Sequence, residues 1–162
     1  MRRVLLAGAT GYLGGYVARE LGGRGYPVRA VVRDATRLAG SGITVDEVLE
    51  AELTRPETLR DCCDGVGVVV STVGITRQKD GLSYDDVDYK ANLNLLREDE
   101  RSEVEKFVYV SVLNGEALRE LKICDAKERF VEQLRASAVD QCVIRPNGFF
   151  SDMTEYYRMA EK

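Results

Sequence analysis

Apolar runs, most of them rich in valine, recur along the chain at residues 3–7, Val28–Val32, Val45–Leu49, Val66–Val73, Phe107–Val112 and Cys142–Ile144. Runs that are apolar on both faces suit parallel strands covered by helices on each side. Between them the apolar spacing lengthens to a helical period. Leu13, Val17 and Leu21 share one face, as do Val87, Ala91 and Leu95, and Ala126, Phe130 and Leu134. The order reads βαβαβαβαβαβ. Right-handed crossovers convert that order into a doubly wound α/β sheet of the Rossmann type, with the expected strand order 3-2-1-4-5-6.

The punctuation agrees. Gly22, Gly23 and Gly25 end the first helix, and Gly40-Ser41-Gly42 marks a loop before the third strand. The stretch REDERSEVEK, after a helix that starts near Ser83, reads as a solvated helix end. No repeat, low-complexity segment or linker interrupts the pattern, so residues 1–162 are expected to form a single domain.

Composition narrows the chemistry. A chain of 162 residues that is 44% hydrophobic is long enough for one well-buried core. The formal charge of -4 comes from mixed signs and leaves no basic stripe for nucleic acid, so small molecules or proteins are the expected partners. No apolar stretch approaches a bilayer span, and the expected location is cytoplasmic. Cys62, Cys63, Cys124 and Cys142 show no C-x-x-C spacing and read as reduced structural thiols. Histidine is absent, which removes Ser-His-Asp and Cys-His catalysis and His-ligated metal sites; no metal site is expected. Any chemistry has to use Lys, Ser, Thr, Tyr, carboxylates or a cofactor.

Gly8, Gly11 and Gly14 form G-x-x-G-x-x-G directly after the first strand and at the start of the first helix. A dinucleotide pyrophosphate needs helix N-terminal amides, close approach without Cβ atoms and tight helix-strand packing, and three glycines in this context meet those demands.

GATGYLG, VVRD, STVG, VDYKANLNLL, KFVYVSV, DAKERFVEQLRAS and VIRPNGFF follow one another in an order that resembles the atypical short-chain dehydrogenase/reductase superfamily, with the nearest likeness to its NmrA-like, NAD(P)-binding members. The resemblance covers nearly the whole chain. It implies that the turn from Gly8 through Thr10, Gly11, Tyr12, Leu13 and Gly14 holds the pyrophosphate. It further implies that Glu52-Leu53 lies near adenine, Thr72, Val73 and Gly74 near the ribose and pyrophosphate, and Pro146 and Asn147 near the nicotinamide amide. Asn92 resembles the family's helix asparagine, although a surface amide reads equally well.

At the end of the second strand, where NAD-binding folds usually carry an acid, stands Arg33, followed one turn later by Arg37. An arginine there can fork onto a 2′-phosphate, so NADP(H) is the preferred cofactor and NAD(H) the alternative, with Asp34 then serving as the ribose acid.

Superfamily members typically act through Tyr-x-x-x-Lys. If Lys127 is that lysine, Ile123 occupies the tyrosine position, and isoleucine cannot transfer a proton. By the resemblance Lys127 would also bind the nicotinamide ribose, and Lys127 and Ser111 are the candidate groups for polarising an unknown small-molecule acceptor. An NADPH-dependent oxidoreductase is the leading expectation. A non-catalytic regulatory or redox-sensing dinucleotide-binding protein is the alternative, and a sugar-nucleotide epimerase ranks third. Relatives in the family continue beyond the last strand and short helix seen here, so the chain is expected to be the cofactor-binding N-terminal portion of a longer architecture, lacking most of the substrate subdomain. Phe149, Phe150, Met153, Tyr156, Tyr157 and Met159 are then expected to have too little to pack against, and such a patch should either drive self-association or mark a truncation.

Overall fold

Six parallel strands form one sheet: β1 (Arg3–Ala7), β2 (Val28–Val32), β3 (Glu47–Glu50), β4 (Val66–Ser71), β5 (Lys106–Val110) and β6 (Asp140–Ile144). Their order across the sheet is β3-β2-β1-β4-β5-β6, and all neighbours run parallel. Five α-helices accompany them: α1 (Tyr12–Gly23), α2 (Ala35–Ala39), α3 (Asn92–Arg101), α4 (Lys122–Ala136) and α5 (Phe150–Ala160). This computed structural model describes residues 2–75, 81–102 and 104–161. Among them, no helix is long and apolar enough to cross a membrane.

Alternate residues of the central strands supply two cores. Leu5, Ala7, Val69, Phe107 and Tyr109 point to the side covered by α3 and α4, where Leu95, Phe130 and Leu134 are fully buried. Leu6, Val28, Ala30 and Val32 point to the other side, against Ala18 of α1 and Leu38 of α2. Removing a leucine from either cluster forfeits both transfer and packing energy, about 2–5 kcal/mol for truncation to alanine. The turn after α1 uses Gly25 at φ +77, which lets the Tyr26 amide donate back to the Leu21 carbonyl (3.0 Å) and so closes the helix end.

Two expectations need correction. The segment between β3 and β4 contains no α-helix; it holds one 3-10 turn, Pro56–Thr58. Asp61 at φ +63 stops any longer helix, and Leu59, Cys62 and Cys63 seal the core from an irregular backbone that must cross beneath β2 and β1. Nor is REDERSEVEK wholly solvated. Glu98 and Arg101 pair at its surface (2.9 Å), but Asp99 is completely buried, and neither of its carboxylate oxygens is hydrogen-bonded among the described residues. Glu103 of that stretch lies outside them.

The outer side of β5 and β6 is open. Ile144, paired in register with Val110, is 48% exposed, and on α5 Phe150 is 95% exposed, with Met153, Tyr157 and Met159 also exposed. Phe149 is half-buried, and the Tyr156 side chain lies outside the described residues. The four cysteines are free thiols, with Cys142 exposed and the others buried.

Candidate functional site

The glycine turn joins β1 to α1. Gly8 adopts φ +89, a left-handed conformation that glycine enters without strain, and a Cβ there would lie 2.5 Å from Thr72 Oγ1. A Cβ at Gly14 would stand 1.9 Å from the Gly8 carbonyl oxygen, so glycine is what allows α1 to pack on the turn. Gly11 is different. It is the N-cap of α1 with extended backbone and no capping side chain, and a Cβ would meet only the Gly8 carbonyl, at 3.2 Å. The first amides of α1 are thus left for an anion approaching over Gly11.

These residues form one wall of a cleft of about 350 Å³. Gly8, Thr10 and Gly11 line it together with Arg33 and Arg37 beyond β2, Glu52, Leu53 and Thr54 beyond β3, and Thr72, Val73, Gly74 and Ile75 beyond β4. Open α/β sheets hold ligands at these carboxyl ends. The remaining residues marked from the sequence lie off the cleft wall. Gly14 sits behind the turn and Leu13 is half-buried on α1. The exposed Tyr12 ring contacts Tyr16 (5.3 Å) and Phe149 (5.9 Å). The Pro146 carbonyl accepts from the Leu113 amide (2.9 Å), and Asn147 is exposed.

At the end of β2 the candidate residues part company. Arg33 and Arg37 line the cleft, and the half-exposed Arg33 guanidinium stands 4.0 Å from the Glu52 carboxylate. Asp34 instead caps α2. Its Oδ1 accepts from the Thr36 hydroxyl (2.5 Å) and the Thr36 amide (2.9 Å), contacts that lower its pKa. A carboxylate committed to an N-cap satisfies helix amides, whereas Arg33 and Arg37 bring their donors to the cleft wall.

The exit from β4 rests on the helix that follows. Residues Asp85–Ala91 form a π-helical turn that runs directly into α3. Asn92 is fully buried at the junction: its Oδ1 accepts from Ser71 Oγ (2.5 Å), and its Nδ2 donates to the carbonyls of Val73 (3.5 Å), Val87 (3.2 Å) and Asp88 (3.1 Å). It is a core residue that ties β4 to the π turn, so the surface-amide reading is excluded. Asp88, one helical turn earlier and fully buried, accepts from the Ile75 amide (3.2 Å) and pairs with Lys127 Nζ (2.9 Å), whose side chain is 12% exposed. Burial pushes the Asp88 carboxyl pKa up, against the pull of Lys127. For Lys127 burial opposes the charge, but Tyr109 and Asp88 outweigh it and the pKa is raised.

Lys127 Nζ also lies 5.5 Å from the Tyr109 ring centroid. Tyr109 is fully buried against Phe130 (4.6 Å), and burial pushes its hydroxyl up to about 12, so it stands in the core and away from the cleft. Ile123 lies one turn before Lys127 on α4. Ser111 is also buried. Its hydroxyl donates to Glu128 Oε1 (3.1 Å), and Glu128 is held by Arg145 through both carboxylate oxygens. Sequence reasoning passed over Asp88. The available signal was its i,i+4 spacing from Asn92 beside the apolar stripe of Val87, Ala91 and Leu95.

Residues 8–162 match the family described as NAD(P)H-binding. The chain belongs to that family. It is 28% identical over 154 residues to the photosystem II assembly factor Ycf39 of Cyanophora paradoxa, covering 95% of this chain and 48% of that protein. It is 32% identical over 165 residues to the chloroplastic divinyl chlorophyllide a 8-vinyl-reductase of Oryza sativa subsp. indica, covering 93% and 40%. The chain thus spans about half the length of the curated relatives it matches. Among solved structures, a putative NAD-dependent epimerase/dehydratase from Bacillus halodurans superposes with a TM-score of 0.76 at 20% identity, covering 91% of this chain and 71% of that one. An NADPH-dependent quinone oxidoreductase from Escherichia coli, complexed with NADPH, gives 0.76 at 21%, covering 97% and 53%. At these identities the structural likeness speaks for the fold.

Proposed function

We propose that the cleft binds NADP(H) in preference to NAD(H), and that the protein is an NADPH-dependent reductase of the atypical short-chain dehydrogenase/reductase type. The observation that carries the cofactor preference is the division of labour after β2, where Arg33 and Arg37 face the cleft while Asp34 caps a helix. In this reading the turn from Gly8 to Gly14, with Thr10, Tyr12 and Leu13 contributing backbone, holds the pyrophosphate. Glu52 and Leu53 border adenine, Thr72, Val73 and Gly74 border the ribose, and Pro146 and Asn147 lie toward the nicotinamide amide. The bound nicotinamide supplies a hydride. Lys127 and Ser111 polarise an acceptor only after leaving their present partners, Asp88 and Glu128.

Those commitments, with Ile123 in the usual tyrosine position, favour a second reading: a regulatory or redox-sensing protein that binds the dinucleotide without turnover. Relatives named as an assembly factor and as a reductase are compatible with either. A cytoplasmic location belongs to the proposal, as does self-association through α5 and the open side of β6. The discriminating experiment follows NADPH absorbance with quinone, enone and vinyl-substituted ring acceptors. Acceptor-dependent oxidation supports the reductase; saturable binding without oxidation supports the sensor.

A further inference from the structure

The cleft rim formed by Thr72–Ile75 has no regular structure of its own, yet it supplies four consecutive lining residues. Two buried side chains hold it. Asn92 fixes its start through Ser71 and Val73. Asp88 fixes its end through the Ile75 amide. Between these points lies Gly74, whose Cβ, if present, would meet Asp88 Oδ1 at 2.6 Å and Lys127 Nζ at 2.8 Å. The Gly74 backbone therefore rests directly on the ion pair, with the cleft on its other side.

We propose that Asp88 and Lys127 are a positioning pair for the cofactor cleft: Asp88 holds the Gly74–Ile75 rim through the Ile75 amide, and Lys127, buried beneath Gly74, holds Asp88 in place. While paired, Lys127 acts through Asp88 and the rim, and it can reach an acceptor only by giving up that role. The chemistry fits the burial. An adjacent cation offsets the cost of burying a carboxylate, and a charged carboxylate accepts a stronger bond from an amide than a neutral group does. The pair also explains the glycine, because any side chain at position 74 would part Asp88 from Lys127 or lift the rim into the cleft. The proposal rests on the reading of the cleft as a dinucleotide site.

The test uses Asp88→Asn, Lys127→Gln and the double variant, in which two amides can replace the ion pair while the Asn oxygen still accepts from Ile75. Two quantities are read on folded protein: amide hydrogen exchange at Ile75 without ligand, and the Kd for NADPH. Each single variant should speed Ile75 exchange and weaken NADPH roughly tenfold or more. The double variant should recover both to within about threefold of wild type. A double variant that recovers slow exchange but binds NADPH as poorly as Lys127→Gln places Lys127 in contact with the cofactor and overturns the proposal. So do single variants that lose thermal stability while Ile75 exchange and Kd stay unchanged, since the pair is then merely structural. If wild type binds no NADPH, the cofactor reading fails separately, and the exchange data still decide whether the pair holds the rim.

Discussion

Replacing Asp99 with asparagine should remove a pH-dependent weakness from the core. Asp99 is fully buried near the end of α3, and neither carboxylate oxygen finds a donor among the described residues. Burial, helped by the adjacent Glu100, pushes its pKa up to about 7, against ~3.9 for an exposed aspartate. Its charge also bears on the buried Cys63 thiol, which Cys62 and burial push up. Between these two aspartate pKa values the unfolded chain has released a proton that the folded chain still holds. Stability therefore falls as pH rises through this window and levels off above about 7. The gap corresponds to roughly 4 kcal/mol, and relaxation of the surroundings around the new charge reduces the expected effect to about 2–3 kcal/mol. Urea unfolding of wild type and Asp99→Asn across the window isolates this group from every other titration. From about pH 5 to about pH 8 the variant should gain about 2 kcal/mol relative to wild type. A difference that stays constant with pH, or that moves toward wild type as pH rises, would refute the reasoning.

Three further outcomes follow from the cleft and the open surface. On the proposed reading, in which the guanidinium meets the 2′-phosphate, Arg33→Ala should weaken NADPH by ~1–3 kcal/mol and far more than NADH; equal losses by calorimetry would remove Arg33 from that role. Gly11→Val should still fold, because its backbone is extended and its Cβ meets only the Gly8 carbonyl oxygen at 3.2 Å, at a cost of about 1–3 kcal/mol as that carbonyl gives way, yet bind neither dinucleotide; thermal melts and titrations on one sample check both halves. Ile144→Lys combined with Met153→Lys should reduce self-association measured by light scattering, and a wild-type mass already at 18.0 kDa would show that the open face drives none.

The sheet was legible because its information is local. The valine-rich runs of β2 and β4 and the glycine turn each declare themselves within a few residues, and handedness then dictates strand order. Boundaries were less clear. The apolar run Val66–Val73 points to a strand that reaches Val73, but β4 ends at Ser71, where the Thr72 hydroxyl donates to the Ala7 carbonyl (3.1 Å) and the chain turns out along the cleft. What the sequence concealed depends on elements far apart in the chain. Lys127 could be marked from the sequence but its partner could not, because nothing local distinguishes Asp88 from Asp85 and Asp86; only the packing of α4 on the π turn separates the buried pair from its solvated neighbours. Asp99 was hidden in the same way, since nothing in REDERSEVEK marks which charge turns inward.

The central claim is that this cleft is an NADP(H) site, and calorimetric titration of the wild-type chain with NADPH and with NADH tests it most directly. The account predicts saturable binding of one NADPH per chain, about tenfold or more tighter than NADH. Equal or tighter binding of NADH, or no binding of either, would contradict it.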